Sequence, residues 1–361
     1  MATNKRTSGK LTRHNRREFL ANAGVAVAAA GTTTLAAPAV YGKAPIKWRF
    51  QTYAGPTLGR HVTKPIIDSF NEAANGEMEI QLFYADQLVP TGELFGAMQR
   101  GTIDAVHSDD ESISSPVDVS IFGGYFPFAT KHILDVPVLF HKYGLAKIWK
   151  EAYEEVDGVV WLSASGQDPC HFNTKMPIRS LDDLKGLRLY TFPTAGRFLS
   201  RFGVIPVSIP HKDAKAAVQA GDLDGMAWSG ITEDYTVGWA DVTNYFLTNN
   251  ISGAWIGSFF ANRDRWNALP KHLKRLLMVC LESSHHYRNH WYWGGEAKLR
   301  AEGRKLKLTS IPASEWKRVE EEAQRFWGEV AETSDRSALI VNILREYNKV
   351  IRVAGPPYVC P

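Results

Sequence analysis

Polar and apolar residues alternate from Ile46 to Thr52, with Ile46, Trp48 and Phe50 on one face. That period of two predicts a half-buried first strand. Val62, Ile66 and Phe70 then recur four apart, predicting a helix with Pro65 in its first turn. Met78 to Tyr84 predicts a second strand. Gly92 to Arg100 predicts a short helix with Leu94, Phe95 and Met98 on one face and Gly101 as its stop, and Ile103 to Val106 a third strand. The same rhythm restarts near Val159. A strand from Val159 to Ser163 precedes Ser180-Leu181-Asp182-Asp183, which has the form of a capping box, and Gly186 ends that short helix. A strand from Leu187 to Thr191, a helix capped by Thr194 and ended by Gly203, a helix from His211 to Ala220 and a strand from Leu223 to Trp228 follow. Strands alternating with helices predict an α/β fold of mostly parallel sheets flanked by helices. The last third is helical. Pro270 opens a stripe of Leu273, Leu276, Leu277, Cys280, Leu281 and Ser284 that extends to about Arg300, with Gly294-Gly295 as a break or bend. Ser314 is expected to cap a further helix carrying Trp316, Val319, Ala323, Phe326 and Val330.

The first forty residues follow another logic. Lys5, Arg6, Lys10, Arg13, Arg16 and Arg17 face one acid, Glu18, and Ala21 to Gly42 carries no charge. Ala37-Pro38-Ala39 is a small-x-small cleavage pattern, so 1–42 is expected to be a signal peptide. Asn15-Arg16-Arg17-Glu18-Phe19-Leu20 resembles the twin-arginine export signal, which predicts a periplasmic mature protein. A permanent anchor is the alternative, but the run is rich in Ala, Thr and Gly rather than Leu.

Export changes the charge reading. The whole chain is +4, with 42 Lys and Arg against 38 Asp and Glu; removing the leader to Ala39 leaves 36 bases and 37 acids. No basic footprint for nucleic acid remains. Cys170, Cys280 and Cys360 are far apart, with no metal-finger or redox spacing, and their pairing is open.

Catalytic motifs are missing: the sequence has no GxSxG, HExxH, phosphate loop or GxGxxG. No cofactor is expected. His286 and His290, four apart, could chelate a metal or form a solvated face. Asp109-Asp110-Glu111 reads equally as a cation site or a hydrated acidic loop. Trp228, Trp239 and Trp255 could form an aromatic box or pack in the core.

Phe83-Tyr84-Ala85-Asp86-Gln87-Leu88-Val89-Pro90, Met98-Gln99-Arg100-Gly101-Thr102-Ile103-Asp104 and Ile178-Arg179-Ser180-Leu181-Asp182-Asp183-Leu184-Lys185-Gly186-Leu187 resemble the solute receptors of tripartite ATP-independent periplasmic (TRAP) transporters, dicarboxylate-receptor type. Gly203 to Val207, Ala217 to Asp224 and Asn262 to Pro270 continue the likeness in order, and it is nearest the branch that takes 2-oxo and aromatic acids. The resemblance implies a two-lobed periplasmic binding protein: lobe I from 43–165 plus 254–300, lobe II from 166–253 plus 301–361, and a long C-terminal helix crossing both. It also implies a small organic solute, membrane transporter subunits as partners, a homodimer in some relatives, and no chemistry. A periplasmic enzyme is the competing class.

At the ligand position this sequence departs from those relatives. Alignment on Gly186-Leu187 and Gly203-Val204 places Tyr190 where they carry a carboxylate-binding Arg, and Ala227-Trp228 where the branch places Glu-Trp. Arg188, two residues earlier on the same strand face, and Arg197 are the substitutes an organic acid would need. The family topology implies that the loops carrying Asp109, Asp110 and Glu111 and carrying Glu233 and Asp234 face the cleft, beside Tyr190 and Trp228, with Trp255 a further candidate. Gln167, after a strand, is a further ligand candidate. Acids beside aromatic rings suit an ammonium group, so an amine-bearing or neutral polar solute is expected, with an organic acid as the alternative.

Overall fold

A computed structural model of the chain describes residues 44–303 and 306–354. The expected signal peptide over 1–42, its twin-arginine motif and Cys360 lie outside the described residues.

Two mixed sheets are built. The strands are β1 (Ile46–Thr52), β2 (Met78–Phe83), β3 (Ala105–Ser108), β4 (Val159–Gly166), β5 (Phe172–Thr174), β6 (Arg188–Thr191), β7 (Ile205–Val207), β8 (Gly225–Ala227), β9 (Tyr245–Leu247), β10 (Ile256–Asn262) and β11 (Lys307–Thr309). The first sheet has the order β2-β1-β3-β10-β4, and the second β11-β9-β5-β8-β6-β7. β1 pairs in parallel with β2 and β3, while β10 runs antiparallel between β3 and β4. In the second sheet β6 is parallel to β7 and β8, and β5 is the antiparallel strand between β8 and β9. Alternation along β1 turns Trp48 and Phe50 into a core with Ile66, Ile67, Phe70, Leu273 and Leu277. Each such side chain, fully buried, contributes about 1.5–3 kcal/mol.

The chain passes between the sheets three times, twice through short segments and once through the helix Lys271–Glu302. It leaves β4 for β5 through 167–171 and returns from β9 to β10 through 248–255. These crossover segments pair with each other: Gln167 N–H donates to Trp255 O (3.2 Å), Trp255 N–H to Asp168 O (3.0 Å) and Cys170 N–H to Ser252 O (2.9 Å). Gln167, Asp168 and Trp255 are thereby fixed at the junction of the two sheets.

The helices used below are α1 (Pro56–Val62), α2 (Lys64–Ala73), α3 (Pro193–Leu199), α4 (Ile231–Thr236), α5 (Lys271–Glu302), α6 (Ala313–Ala331) and α7 (Asp335–Ala354). Three terminus expectations are corrected. α3 begins at Pro193 with Phe192 as its cap, and the Thr194 side chain does not cap it. Instead the Glu111 carboxylate accepts from Thr194 N–H (3.2 Å) and Oγ1–H (2.7 Å), so an acid from a distant loop meets the free amides of this helix end. α5 is one helix of 32 residues with no break at Gly294-Gly295. Gly295 serves close approach: a Cβ there would lie 2.5 Å from the Thr232 side chain on α4. α6 starts after Pro312, leaving Ser314 inside its first turn. Its buried face is the expected stripe of Trp316, Val319, Ala323, Phe326 and Val330, with Trp327 added. No helix of the described residues is long and apolar enough to cross a membrane.

Candidate functional site

At the sheet junction three buried carboxylates converge. Asp168 follows β4 on the first crossover; Glu233 and Asp234 lie in α4, directly after β8. They are 3, 2 and 1 % exposed. Asp168 accepts from Gly230 N–H (2.6 Å) and from Tyr125 OH (3.1 Å). Asp234 accepts from Ser229 Oγ–H (2.6 Å). Glu233 Oε2 lies 2.9 Å from Tyr292 OH, which is also 2.5 Å from Gln167 Oε1; Tyr53 OH donates to that same Gln167 oxygen at 2.7 Å. Two phenols thus occupy the oxygen of the Gln167 amide, and its buried Nε2 has no partner.

Desolvation and mutual repulsion dominate the electrostatics. Burial, then the neighbouring Glu233, hold Asp168 well above the usual carboxylate range. Burial pushes Glu233 up to about 8, with the Tyr292 bond opposing and Asp234 adding to the rise. Burial also raises Asp234 well above its ordinary value, against the pull of the Ser229 bond. Arg288 is the buried guanidinium nearby, and burial lowers it to about 10. It donates to Gly166 O (3.0 Å) and Ser284 Oγ (2.7 Å) rather than to a carboxylate.

Aromatic rings enclose the cluster. Trp228 stacks on Tyr190 (centroids 4.4 Å, planes 8° apart) and on Phe192 (3.8 Å, 20°). Phe192 meets Tyr125 edge-on at 5.2 Å, which links the stack to Asp168 through the Tyr125 hydroxyl. Trp255 lies 5.1 Å from Tyr53. His107 supports both rings from behind, anchored through Nε2 to Ser165 Oγ (2.9 Å). A cavity of ≈ 400 Å³ has Asp168 and Tyr292 in its walls, together with His171, Asn289, Glu296 and Arg300, so the cluster borders space for a small solute.

Of the residues picked from sequence, Gln167, Glu233, Trp228, Tyr190 and Trp255 gather here. Asp110 does not: its oxygens accept from Tyr153 OH (2.5 Å) and Ser258 Oγ–H (2.7 Å) within the first sheet's core. Glu111 binds α3 rather than opening to a ligand. Arg188 is committed to Asp224 through two side-chain bonds (3.1 and 2.9 Å), and Arg197 is exposed over the Phe326 ring, 5.0 Å from its centroid. Trp239 packs at 6.0 Å from Tyr190. His286 and His290 touch edge to face at 4.1 Å on an exposed helix face, and no three His, Cys, Asp or Glu side chains among the described residues are placed to hold a metal ion together. Cys170 and Cys280 are free and buried. The sequence reading missed Asp168, Tyr53, Tyr125 and Tyr292. Only Asp168 left a local signal, as an acid beside Gln167 at a strand end.

The junction thus sets buried acids and rings beside a cavity that Asp168 and Tyr292 line. Residues 55–334 match the bacterial extracellular solute-binding proteins of family 7, DctP. The chain belongs to this family. Family 7 members are extracellular solute-binding proteins. A TRAP periplasmic solute binding protein from Chromohalobacter salexigens, solved with bound (S)-(+)-2-amino-1-propanol, is 63% identical, with a TM-score of 0.84 over 88% of this chain and 99% of that one. A monocarboxylate 2-oxoacid-binding periplasmic protein of a Nostoc species is 26% identical over 270 residues, 72% of this chain and 73% of its own length. A TRAP solute binding protein from Colwellia psychrerythraea, with bound calcium and pyruvate, shares the fold at 20% identity, with a TM-score of 0.75 over 86% of this chain and 96% of that one.

Proposed function

We propose that this family 7 receptor captures a short primary amine that also bears a hydroxyl group, and delivers it to the membrane subunits of a TRAP transporter after twin-arginine export. The carrying observation is the Asp168, Glu233 and Asp234 cluster, buried with no cation bonded to it among the described residues. An ammonium group supplies the missing charge through charge-assisted hydrogen bonds and contact with ring faces. The unpartnered Gln167 Nε2 supplies a donor for the hydroxyl oxygen. The amino alcohol carried by the 63% identical relative has both groups. An organic acid is less well served, since Arg188 and Arg197 are engaged elsewhere.

Capture needs the lobes to move. We assign them to 43–165 with 254–300 and 166–253 with 301–361, hinged on the paired crossovers. Glu111, in the loop after β3, then latches one lobe to α3 of the other. Glu111→Ala is expected to speed solute release about tenfold while the association rate holds, because the bond exists only when the lobes are shut. Stopped-flow displacement reads both rates, and an unchanged release rate would remove the latch from the account.

Thermal-shift screening of the mature protein tests the ligand class. Amino alcohols such as 2-amino-1-propanol should stabilise it, whereas pyruvate and benzoate should not. Stabilisation by carboxylates alone would overturn the amine reading and move recognition to Arg288, whose buried Nη1 is unpartnered.

A further inference from the structure

Resting on the amine reading, we infer that the solute binds by exchange: the ammonium displaces a proton that Glu233 carries in the empty pocket. The geometry gives two independent reasons. The first is a count of charges. Glu233 faces Asp168 from the crossover after β4 and Asp234 from its own helix, while Tyr53, Tyr125 and Gln167 add neutral dipoles and Cys170 a thiol. α5 contributes Tyr292 and the buried guanidinium Arg288, which bonds Gly166 O and Ser284 Oγ, while Arg300 of the same helix lines the cavity paired with Glu296. Three carboxylates buried beside one another, with no cation bonded to them among the described residues, cannot all ionise.

The second reason is a count of hydrogens. With the Gln167 oxygen turned to the phenols, Tyr292 has one hydrogen and two oxygen neighbours, Gln167 Oε1 at 2.5 Å and Glu233 Oε2 at 2.9 Å. One phenol hydrogen cannot serve both acceptors fully, and a proton on Glu233 Oε2 supplies the second hydrogen bond. Its held-up acidity, about 8, agrees.

The exchange balances without a co-reactant. The solute arrives as R–NH₃⁺, the Glu233 O–H bond breaks heterolytically, the carboxylate keeps the electron pair and pairs with the ammonium, and the proton passes to buffer. Neutral solutes of the same shape bring no charge to replace the proton, so Glu233 becomes a specificity-determining residue and not only a contact. Affinity for the amine then rises with pH, about tenfold per unit below the Glu233 transition, and levels off above it.

Titration calorimetry of the mature protein with (S)-2-amino-1-propanol, repeated near neutral pH in buffers of different ionisation enthalpy, reads the exchange directly. The apparent enthalpy should vary linearly with buffer enthalpy, with a slope of about one proton released. Glu233→Gln, which keeps the shape and cannot ionise, should bind about a hundredfold more weakly with a slope near zero. Amine binding with no buffer dependence in the unsubstituted protein overturns the exchange and leaves the amine reading standing. Absence of any amine binding across the pH range overturns both.

Discussion

Asp168→Asn should lower affinity for an ammonium solute by about two to three orders of magnitude, while the ligand-free protein becomes no less stable above neutral pH. The substitution removes a charge and little else. Asn Oδ1 can still accept from Gly230 N–H, and its amide can donate to the Tyr125 hydroxyl, so the present bonds at 2.6 and 3.1 Å have neutral replacements. Binding loses a buried opposite charge. Folding loses a like charge packed against Glu233, since Asp168 is held up first by burial and then by that neighbour. The two effects have opposite signs, which separates a ligand role from a scaffold role. Calorimetry gives the affinity and thermal denaturation the stability. If both fall together, Asp168 is holding the crossover; if affinity is unchanged, the ammonium does not sit against it.

What the sequence could show was what local order controls. β1 was legible to the residue because Trp48 and Phe50 alternate with polar neighbours, and the buried stripe of α6 because helical spacing is local. Tyr190 and Trp228 were each picked from their places on neighbouring strands, and their rings stack at 4.4 Å. Distance in sequence hid the rest. Tyr292 sits on the buried face of α5 and reads as core, yet its hydroxyl meets Glu233, 59 positions earlier. Thr194 has the residue type of a cap, but its helix end is satisfied by Glu111 from 83 positions away. Gly294-Gly295 looked like a break because glycine weakens a helix; the pressing need at Gly295 was room for Thr232. The direction of β10 was equally hidden, since alternation gives a strand's faces and not its neighbours.

The same buried acids set how the empty receptor responds to pH. A carboxyl group whose folded value is raised binds more protons in the folded than in the unfolded chain, so its contribution is intact at low pH and is lost as pH rises through the folded value. Glu233 titrates at about 8, and Asp168 and Asp234 are also raised. The buried histidines act oppositely: His211 and His285, lowered by burial to about 4 and about 3, weaken the fold as pH falls below the ordinary imidazole range. Above about pH 7 both folded and unfolded histidines are largely neutral, and the acids decide the slope. Ligand-free stability should therefore fall from about pH 7 to about pH 8, by up to about 1.4 kcal/mol per pH unit for each proton that the folded chain still holds and the unfolded chain has lost, and the Glu233 share should level off above about 8. Saturating amine should flatten or reverse that slope, because the ionised cluster is the form it binds. Urea unfolding at three pH values, with and without 2-amino-1-propanol, measures both. A ligand-free profile that is flat or rising over this window would mean that water already solvates these carboxylates in the free receptor, and that no repulsion waits there for a cation to relieve.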